Sequence, residues 1–258
     1  MESIRDILKE IEEKTDIQIL YACETGSRAW GFPSPDSDYD VRFIYRHKID
    51  WYLSLSQRKD TIQFMAGDLD VTGWDLKKSL LLLKKSNAPL IERFQSPIEY
   101  YSRGGFKEEF KHLIESYYSP TAVFYHHYSL AIKFWEEIKS KETFKLKSYF
   151  YLMRSLLSCN WIVKDTSLLP MHIEGLMKYI NEEEKALLTQ LIELKSIVNE
   201  KYLHPNDAKL NGWISELFHF IELNKENLGV NKTDFSFLNK FFLKTVYEGV
   251  DNRLDKRQ

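Results

Sequence analysis

Two aspartates with one residue between them, Asp38 and Asp40, are the side chains of this sequence best suited to do chemistry. Residues 39–45 alternate in type as a β-strand does, and side chains two apart on a strand point to the same face. Like charges on one face repel each other, and a divalent cation relieves the repulsion. Mg²⁺ prefers hard oxygen ligands and binds through one or two carboxylates plus substrate phosphates. The pair therefore predicts a magnesium site for phosphoryl chemistry.

A glycine–serine turn lies a short loop before the two aspartates. Gly26 has no Cβ, so a ligand can approach its backbone, while Ser27 offers a hydroxyl and a backbone N–H to phosphate oxygens. Arg28, in the same turn, could hold a phosphate through two hydrogen bonds. Arg42 shares the face of the aspartate pair; it either contacts a triphosphate or balances the carboxylates, with a structural salt bridge as an equal alternative. Each motif alone is common, and their combination indicates function.

The elements that must position these residues form an α+β pattern. Apolar spacing predicts an amphipathic helix at 3–14 and a helix at 76–85, and β-branched or alternating runs predict strands at 17–22, 39–45, 61–64 and 69–74. After the Gly104-Gly105 break the pattern becomes helical, with segments at 106–118, 122–140, 146–164, 173–180, 182–202, 210–224 and 234–250. We therefore expect an α+β domain with a mixed sheet at 1–105 and a C-terminal helical bundle domain at 106–258.

Composition excludes several classes of protein. The chain has 258 residues, 43% hydrophobic and 29% charged, with a formal net charge of -2, which is typical of a soluble globular protein and not of one that coats nucleic acid. The charged N-terminus lacks the apolar core of a signal peptide, and no stretch approaches the ~20 apolar residues of a membrane span. Cys23 and Cys159 lie far apart and predict buried thiols in a reducing cytosol, so we expect a cytoplasmic protein.

The segment ETGSRAWGFPSPDSDYDVRFIY resembles the signature of the DNA polymerase β nucleotidyltransferase superfamily, Gly-Ser followed after a short loop by an Asp-x-Asp strand. Together with DVTGWDLKKSLLLLKKSNAPLIERFQSPI it is similar to a narrower group, the bacterial and phage family of nucleotidyltransferases linked to RNA-repair operons. The resemblance continues into KSYFYLMRSLLSCNWI and so covers most of residues 20–165.

The resemblance implies roles for individual residues. Gly26 and Ser27 match the phosphate-binding turn, and the aspartate pair matches the metal ligands. The superfamily takes a third carboxylate from a later strand, between apolar residues, and Asp70 in Leu69-Asp70-Val71 fits that form. Asp70 would bind the catalytic metal or accept the proton of the attacking hydroxyl. Its rivals are Asp68, which shares its parity but sits at a turn, and Asp75, which has the opposite parity and suits a helix N-cap.

The implied activity is transfer of a nucleoside monophosphate from an NTP to a hydroxyl, with release of pyrophosphate and two Mg²⁺ ions, or Mn²⁺, as cofactors. An RNA 3′ end is the acceptor that the family's link to RNA repair suggests; a small molecule such as an aminoglycoside, or a protein hydroxyl, would need the same catalytic core. The alternative is a non-catalytic nucleotide-binding or toxin–antitoxin-like partner module. Base preference and oligomeric state are not specified by the sequence.

Secondary candidates lie outside this motif. Lys147, Tyr151 and Arg154 share a helix face at near-helical spacing, which could stack a base and hold phosphates of the acceptor, although a core-edge stripe is the simpler interpretation of Tyr151. His126 and His127 project about 100° apart on a helix and cannot form one metal site unaided, but His126 could contact the acceptor. For Lys77 and Lys78 a solvated helix face is favoured.

Overall fold

A computed structural model of the chain describes residues 3–226, 228–229 and 234–254. The chain forms two compact units, the first made of residues 1–25, 38–118 and 231–258 and the second of residues 26–37 and 119–230. Each unit is therefore discontinuous in sequence. The assignment of catalysis to residues 1–105 and of acceptor binding to residues 106–258 concerns function and stays a prediction.

The elements are named here in chain order. They are α1 (Ile4–Thr15), β1 (Gln18–Glu24), α2 (Gly26–Trp30), β2 (Tyr39–Arg46), α3 (Ile49–Tyr52), β3 (Thr61–Ala66), β4 (Leu69–Asp75), α4 (Leu76–Lys84), α5 (Ala88–Arg93), β5 (Glu99–Ser102), α6 (Phe106–Tyr117), α7 (Pro120–Ile138), β6 (Thr143–Lys145), α8 (Leu146–Lys164), α9 (Ile173–Leu176), a 3₁₀ turn (Met177–Tyr179), α10 (Glu182–Ile197), β7 (Leu203–Pro205), α11 (Ala208–Asn224) and α12 (Ser236–Leu254).

A five-stranded mixed sheet organises the first unit. The strand order is β3-β4-β2-β1-β5, in which β2 and β4 run parallel and the other neighbours antiparallel. The tight turn between β3 and β4 contains Gly67 at φ 60°, a left-handed conformation that glycine adopts without steric cost. This hairpin reverses the chain so that β4 lies beside β2 and parallel to it.

The apolar side chains of alternate strand positions build the core on one face of the sheet. Val41, Phe43 and Tyr45 of β2 point to this face, where they pack with Leu8 and Ile11 of α1. The helix begins at a capping box between Ser3 and Asp6, which satisfies the backbone N–H groups of its first turn. Because β2 alternates, Asp40 and Arg42 point to the opposite face.

Helices dominate the second unit. α8 is buried along almost its whole length and packs against α7 and α11. A short antiparallel ribbon of β6 and β7 lies in the same unit, at the N-terminal end of α8. Cys159 of α8 is a free, buried thiol, as is Cys23 of β1 in the first unit, in agreement with the sequence.

The predicted α+β class with a mixed sheet and a helical C-terminal region is confirmed, and four predicted strands match β1 to β4. Some elements differ. The helix expected at 182–202 ends at Ile197, where Val198 turns extended and leads to β7. The short elements α3, α5, β5, β6 and β7 were not predicted, because three to six residues give too little periodicity. Within the described residues, we find no helix long and apolar enough to cross a membrane.

Candidate active site

The parallel pairing of β2 and β4 places two acidic residues side by side. In the register of the two strands Asp40 lies opposite Asp70, and Arg42 lies opposite Thr72. All four belong to the sheet face opposite the α1 core. Neighbouring strands are about 4.8 Å apart, so residues in register on one face have side chains within reach of the same ion or ligand. Two of the three acidic residues expected from the sequence are thus brought together.

The Arg42 guanidinium bridges these two carboxylates. Its Nη2 donates to Asp40 Oδ1 at 2.9 Å and to Asp70 Oδ2 at 2.8 Å, and its Nη1 donates to the backbone oxygen of Asp70 at 2.9 Å. Thr72 Oγ1 donates to the other oxygen of Asp70 at 3.3 Å. Of the alternatives open for Arg42, the structure displays the one in which it balances the carboxylates.

The site retains access to solvent. The side chains of Asp40 and Asp70 keep 28% and 33% of their surface exposed, against 19% for Arg42. Asp38 is exposed and lies just before β2, two residues ahead of Asp40. In the part of the chain that the structure describes, no three His, Cys, Asp or Glu side chains are gathered as a metal-ligand group. Two accessible carboxylates nevertheless fit Mg²⁺, which takes few protein ligands and completes its shell with water and phosphate oxygens.

A buried glutamate that the sequence analysis missed fixes the backbone of Asp40. Glu24, the last residue of β1, is fully buried; its Oε1 accepts a hydrogen bond from the Asp40 N–H at 2.7 Å and its Oε2 accepts one from the Tyr100 hydroxyl. The N–H and the hydroxyl of Thr25 both donate to the backbone carbonyl oxygen of Asp40, at 2.9 and 3.1 Å. Both polar groups of the Asp40 backbone are therefore held. The sequence signal that could have identified Glu24 was a charged residue at the end of an otherwise apolar strand.

A second arginine, the last residue of α5, packs on the same sheet face. Arg93 is buried, stacks 3.4 Å from the centre of the Trp74 ring and donates to the Phe43 oxygen at 3.4 Å. Burial, helped by the nearby Arg42 guanidinium, lowers the pKa of Arg93 to about 9. Asn87, in the SNAPLIERF motif, caps α5 by accepting from the Leu90 N–H. This motif therefore contributes to packing beside the site.

Asp75 and Asp68, the rivals of Asp70, have other roles or positions. Asp75 caps α4 by accepting from the Lys77 N–H at 2.8 Å, as its position before the predicted helix suggested, and also accepts from the Tyr52 hydroxyl at 2.6 Å. Burial raises the pKa of Asp75 to about 6. Asp68 is exposed at the β3–β4 turn, where its backbone oxygen accepts from the Tyr39 N–H. The register thus favours Asp70 over both.

The predicted phosphate-binding turn lies in the second unit. Gly26 begins α2 at φ 64°, which only glycine adopts readily. Ser27 is buried and donates its hydroxyl to Ser37 Oγ at 3.1 Å, and Arg28 Nη2 donates to the Ser37 oxygen at 2.7 Å. These bonds give residues 26–37 a defined conformation. The phosphate-binding role of the turn stays a prediction.

The candidate acceptor residues of the helical unit occupy different surroundings. Tyr151 and Arg154 both contact Trp30, Tyr151 by an edge-to-face ring contact at 5.5 Å and Arg154 by its guanidinium at 4.4 Å. Lys147 forms an ion pair with Glu200 at 2.6 Å. His126 is half-buried; the adjacent His127 is fully buried, and burial holds the pKa of His127 well below its usual value. Their part in acceptor binding stays a prediction.

Known proteins match this chain over most of its length. The model of a family described as the RNA repair pathway DNA polymerase beta family matches residues 1–244. The uncharacterized protein YcgL of Bacillus subtilis (strain 168) is 40% identical over 249 residues, which cover 95% of this chain and 96% of that protein. A nucleotidyltransferase-like protein from Exiguobacterium sibiricum 255-15 aligns over 85% of this chain and 75% of its own, with 11% identity and a TM-score of 0.32, too low to support an argument.

Proposed function

Because the chain belongs to the RNA repair pathway DNA polymerase beta family, we propose that it is a Mg²⁺-dependent nucleotidyltransferase that moves a nucleoside monophosphate from an NTP to an acceptor hydroxyl. The observation that carries the proposal is the pairing of Asp40 with Asp70 on adjacent parallel strands of a solvent-accessible sheet face. A structural core has no use for two carboxylates in register. A phosphoryl-transfer site needs them to hold a cation.

Each residue of the site has a proposed role. Asp40 and Asp70, with Asp38 from the segment before β2, would hold the metal, which supplies charge neutralisation at the phosphates when it is bound. Arg42 keeps Asp40 and Asp70 facing each other, and Glu24 holds the Asp40 backbone. Gly26, Ser27 and Arg28 are proposed as contacts to the triphosphate, on the strength of the sequence motif.

The proposed reaction breaks one bond and forms another. The acceptor oxygen bonds to the α-phosphorus of the NTP, the bond from that phosphorus to the bridging oxygen breaks, and pyrophosphate leaves. The hydroxyl proton passes to the Asp70 carboxylate. In such a reaction the protein contributes mainly by positioning the reactants and by preorganised electrostatics. An RNA 3′ end is our proposed acceptor, with His126, Lys147, Tyr151 and Arg154 as its proposed contacts.

A transfer assay tests this proposal. The purified chain is incubated with α-labelled NTPs, Mg²⁺ and RNA, and the wild type is compared with Asp40→Asn and Asp70→Asn. We expect labelled RNA from the wild type and at least about a hundredfold less from either variant. Asp16→Asn is the matched control: Asp16 is exposed after α1 and pairs with Lys48, elsewhere in the same unit, so this variant should keep wild-type activity.

Other outcomes would redirect or refute the proposal. Label on protein or on a small molecule would keep the transferase and replace the acceptor. Binding of NTP without transfer to any acceptor would favour a non-catalytic nucleotide-binding module. Activity that survives both Asp40→Asn and Asp70→Asn would place the chemistry elsewhere.

A further inference from the structure

A groove lies beside the first turn of α4, away from the paired carboxylates. It contains a cavity of about 260 Å³ whose walls include Trp51, Tyr52, Arg58 and Lys77. An adjoining cavity of about 160 Å³ between α4 and α12 shares Lys77 and is lined by apolar side chains such as Phe242. We call the two cavities together the α4 groove. It lies entirely within the first unit.

The α4 groove carries positive charge that its own acidic groups do not balance. Among the described residues, neither Arg58 nor the Lys77 ammonium has a carboxylate partner; Arg58 donates to the Ser54 hydroxyl at 3.3 Å. Lys78 is paired with Asp60. The Asp75 carboxylate is buried and already accepts from Tyr52 and from the Lys77 backbone N–H. Three cations and two carboxylates line the larger cavity, so it keeps an excess positive charge near pH 7, and Arg58 and Lys77 can bind an anion without first releasing a carboxylate.

Aromatic rings line the same cavity as these cations and are held in place by their neighbours. Trp51 stacks on His47 at a centroid distance of 4.0 Å and an angle of 10°, and the Arg58 guanidinium lies 6.0 Å from the Trp51 ring. Tyr52 makes an edge contact with Phe242 at 5.1 Å, while its hydroxyl is bonded to Asp75. Burial lowers the pKa of His47 to about 4, so this ring is neutral near pH 7.

From this arrangement we propose that the α4 groove binds single-stranded RNA, which deepens the proposed function by naming a contact surface for its acceptor. Cations for backbone phosphates and aromatic rings for stacked bases are the recurring components of single-strand binding surfaces. An apolar peptide would use the rings but would leave Arg58 and Lys77 unpaired. The small size of the groove agrees with a chain of formal net charge -2, which cannot hold a long strand by bulk charge.

The distance from the paired carboxylates suits a short RNA. Asp70 and Asp75 lie near the two ends of β4, so they are separated by five strand residues, or roughly 17 Å at about 3.3 Å per residue. This equals the rise of about five stacked nucleotides. Because Asp70 and Asp75 have opposite parity, their side chains leave opposite faces of the sheet, and an RNA that reaches both sites must also pass from one face to the other. We therefore choose a probe of twelve nucleotides, more than twice the length that spans the strand.

Fluorescence anisotropy of a labelled twelve-nucleotide oligouridylate tests the proposal. The measurement is made on the full chain in EDTA without NTP, so that binding is observed whether or not the transfer reaction exists. We expect Arg58→Gln combined with Lys77→Gln to weaken binding roughly tenfold and to reduce the slope of log affinity against log salt concentration by about 1.4, because about 0.7 is lost per phosphate contact on a single strand. Trp51→Leu should weaken binding at least about fivefold with little change of that slope.

Matched control variants distinguish RNA binding by the groove from RNA binding by the overall positive charge of the surface. Lys59→Gln removes the cation next to Arg58 in sequence, and Lys85→Gln removes an exposed cation at the other end of α4; neither lines the groove. We expect both to bind RNA as the wild type does, and circular dichroism confirms that each variant is folded. The groove is not an RNA site if the groove variants bind RNA as tightly as the wild type. The same conclusion follows if the two control variants lose as much affinity as the groove variants, and a protein partner then becomes the better occupant.

Discussion

Arg42 determines how the two paired carboxylates coexist without a bound cation. It donates to Asp40 and Asp70 at once, and each of these acidic side chains is about one-third exposed or less. Removal of a charge that neutralises a partly buried pair leaves repulsion and unmet hydrogen bonds behind. The Arg42 guanidinium and a divalent cation would thus neutralise the same pair of carboxylates.

Arg42→Gln should therefore make stability depend on Mg²⁺. In EDTA we expect the variant to lose about 1–3 kcal/mol of unfolding free energy. Mg²⁺ should then raise its melting temperature more than that of the wild type, since a ligand that binds only the folded state stabilises it. Lys78→Gln, which removes the separate Lys78–Asp60 ion pair, is the control and should show no added response. Equal Mg²⁺ responses in Arg42→Gln and the wild type would contradict a cation site at Asp40 and Asp70.

We expect Glu24 to influence the proposed reaction through the backbone of Asp40. In Glu24→Ala the Asp40 N–H and the Tyr100 hydroxyl both lose an acceptor, so we expect kcat to fall by roughly 10- to 100-fold while KM for the NTP changes less. Glu24→Gln keeps an acceptor for the N–H and should restore most of kcat. A kcat for Glu24→Gln as low as that for Glu24→Ala would instead show that the charge itself is required.

At the scale of elements, the N-terminus of α4 holds several structures together. Asp75 ends β4, caps α4 and accepts from Tyr52 of α3, so one carboxylate connects three elements. Because the Asp75 side chain is buried, its charged form is costly, and its folded-state pKa of about 6 exceeds the ordinary value of 3.8. Burial therefore makes the folded protein favour the protonated Asp75 side chain, although the hydrogen bonds from Tyr52 and from the backbone N–H groups of α4 favour the charged form.

Asp75→Asn should remove the pH dependence that the buried Asp75 carboxyl gives to the unfolding free energy. A raised folded-state pKa means that the folded protein binds more protons than the unfolded chain between about pH 4 and 6, so the stabilisation present below pH 4 is lost as pH rises through 6. Relative to Asp75→Asn, the wild type should lose about 1–3 kcal/mol of unfolding free energy between pH 4 and pH 7, measured by urea unfolding. Comparing the two proteins cancels the opposite contribution of His47, whose pKa is lowered. A difference in unfolding free energy between the two proteins that stays constant from pH 4 to pH 7 would contradict a raised pKa of Asp75 in the folded state.

At the scale of the whole molecule, the two compact units do not follow the order of the chain. α12 comes last in the sequence, yet it belongs to the first unit and packs against early elements. Phe241 contacts Phe106 at a centroid distance of 5.7 Å and Phe110 at 5.9 Å, and Arg46 of β2 donates to the Val246 oxygen at 3.4 Å. The C-terminal helix therefore stabilises the unit that carries Asp40 and Asp70.

Phe241→Ala tests this connection. Phe241 is 8% exposed, so its truncation should cost about 3–5 kcal/mol of unfolding free energy and lower the melting temperature markedly. Phe237→Ala, on the same helix but at a position 63% exposed, should change stability by less than about 0.5 kcal/mol. Similar losses in the two variants, measured by calorimetry, would show that α12 does not pack as described.

The sequence alone was sufficient for the local features. Period-two and period-three-to-four patterns predict β1 to β4 and the long helices, because burial of one face imposes its period on the side chains. The alternation of side chains along a strand placed Arg42 on the face of the acidic pair, and an aspartate directly before a helical stretch made Asp75 a predicted cap. The motif and its resemblance led to Gly26, Ser27, Asp38, Asp40 and Asp70 as candidates, and their roles stay predictions.

Only the tertiary structure decided which distant residues meet. The parallel register that sets Asp40 beside Asp70 depends on how the β3–β4 hairpin returns to the sheet, and strand pairing is a non-local choice that side-chain period does not encode. The same holds for Glu24 beneath Asp40, for Arg42 between two carboxylates, and for α12 in the first unit. Each depends on contacts between residues that are far apart in sequence, which packing of the whole unit selects.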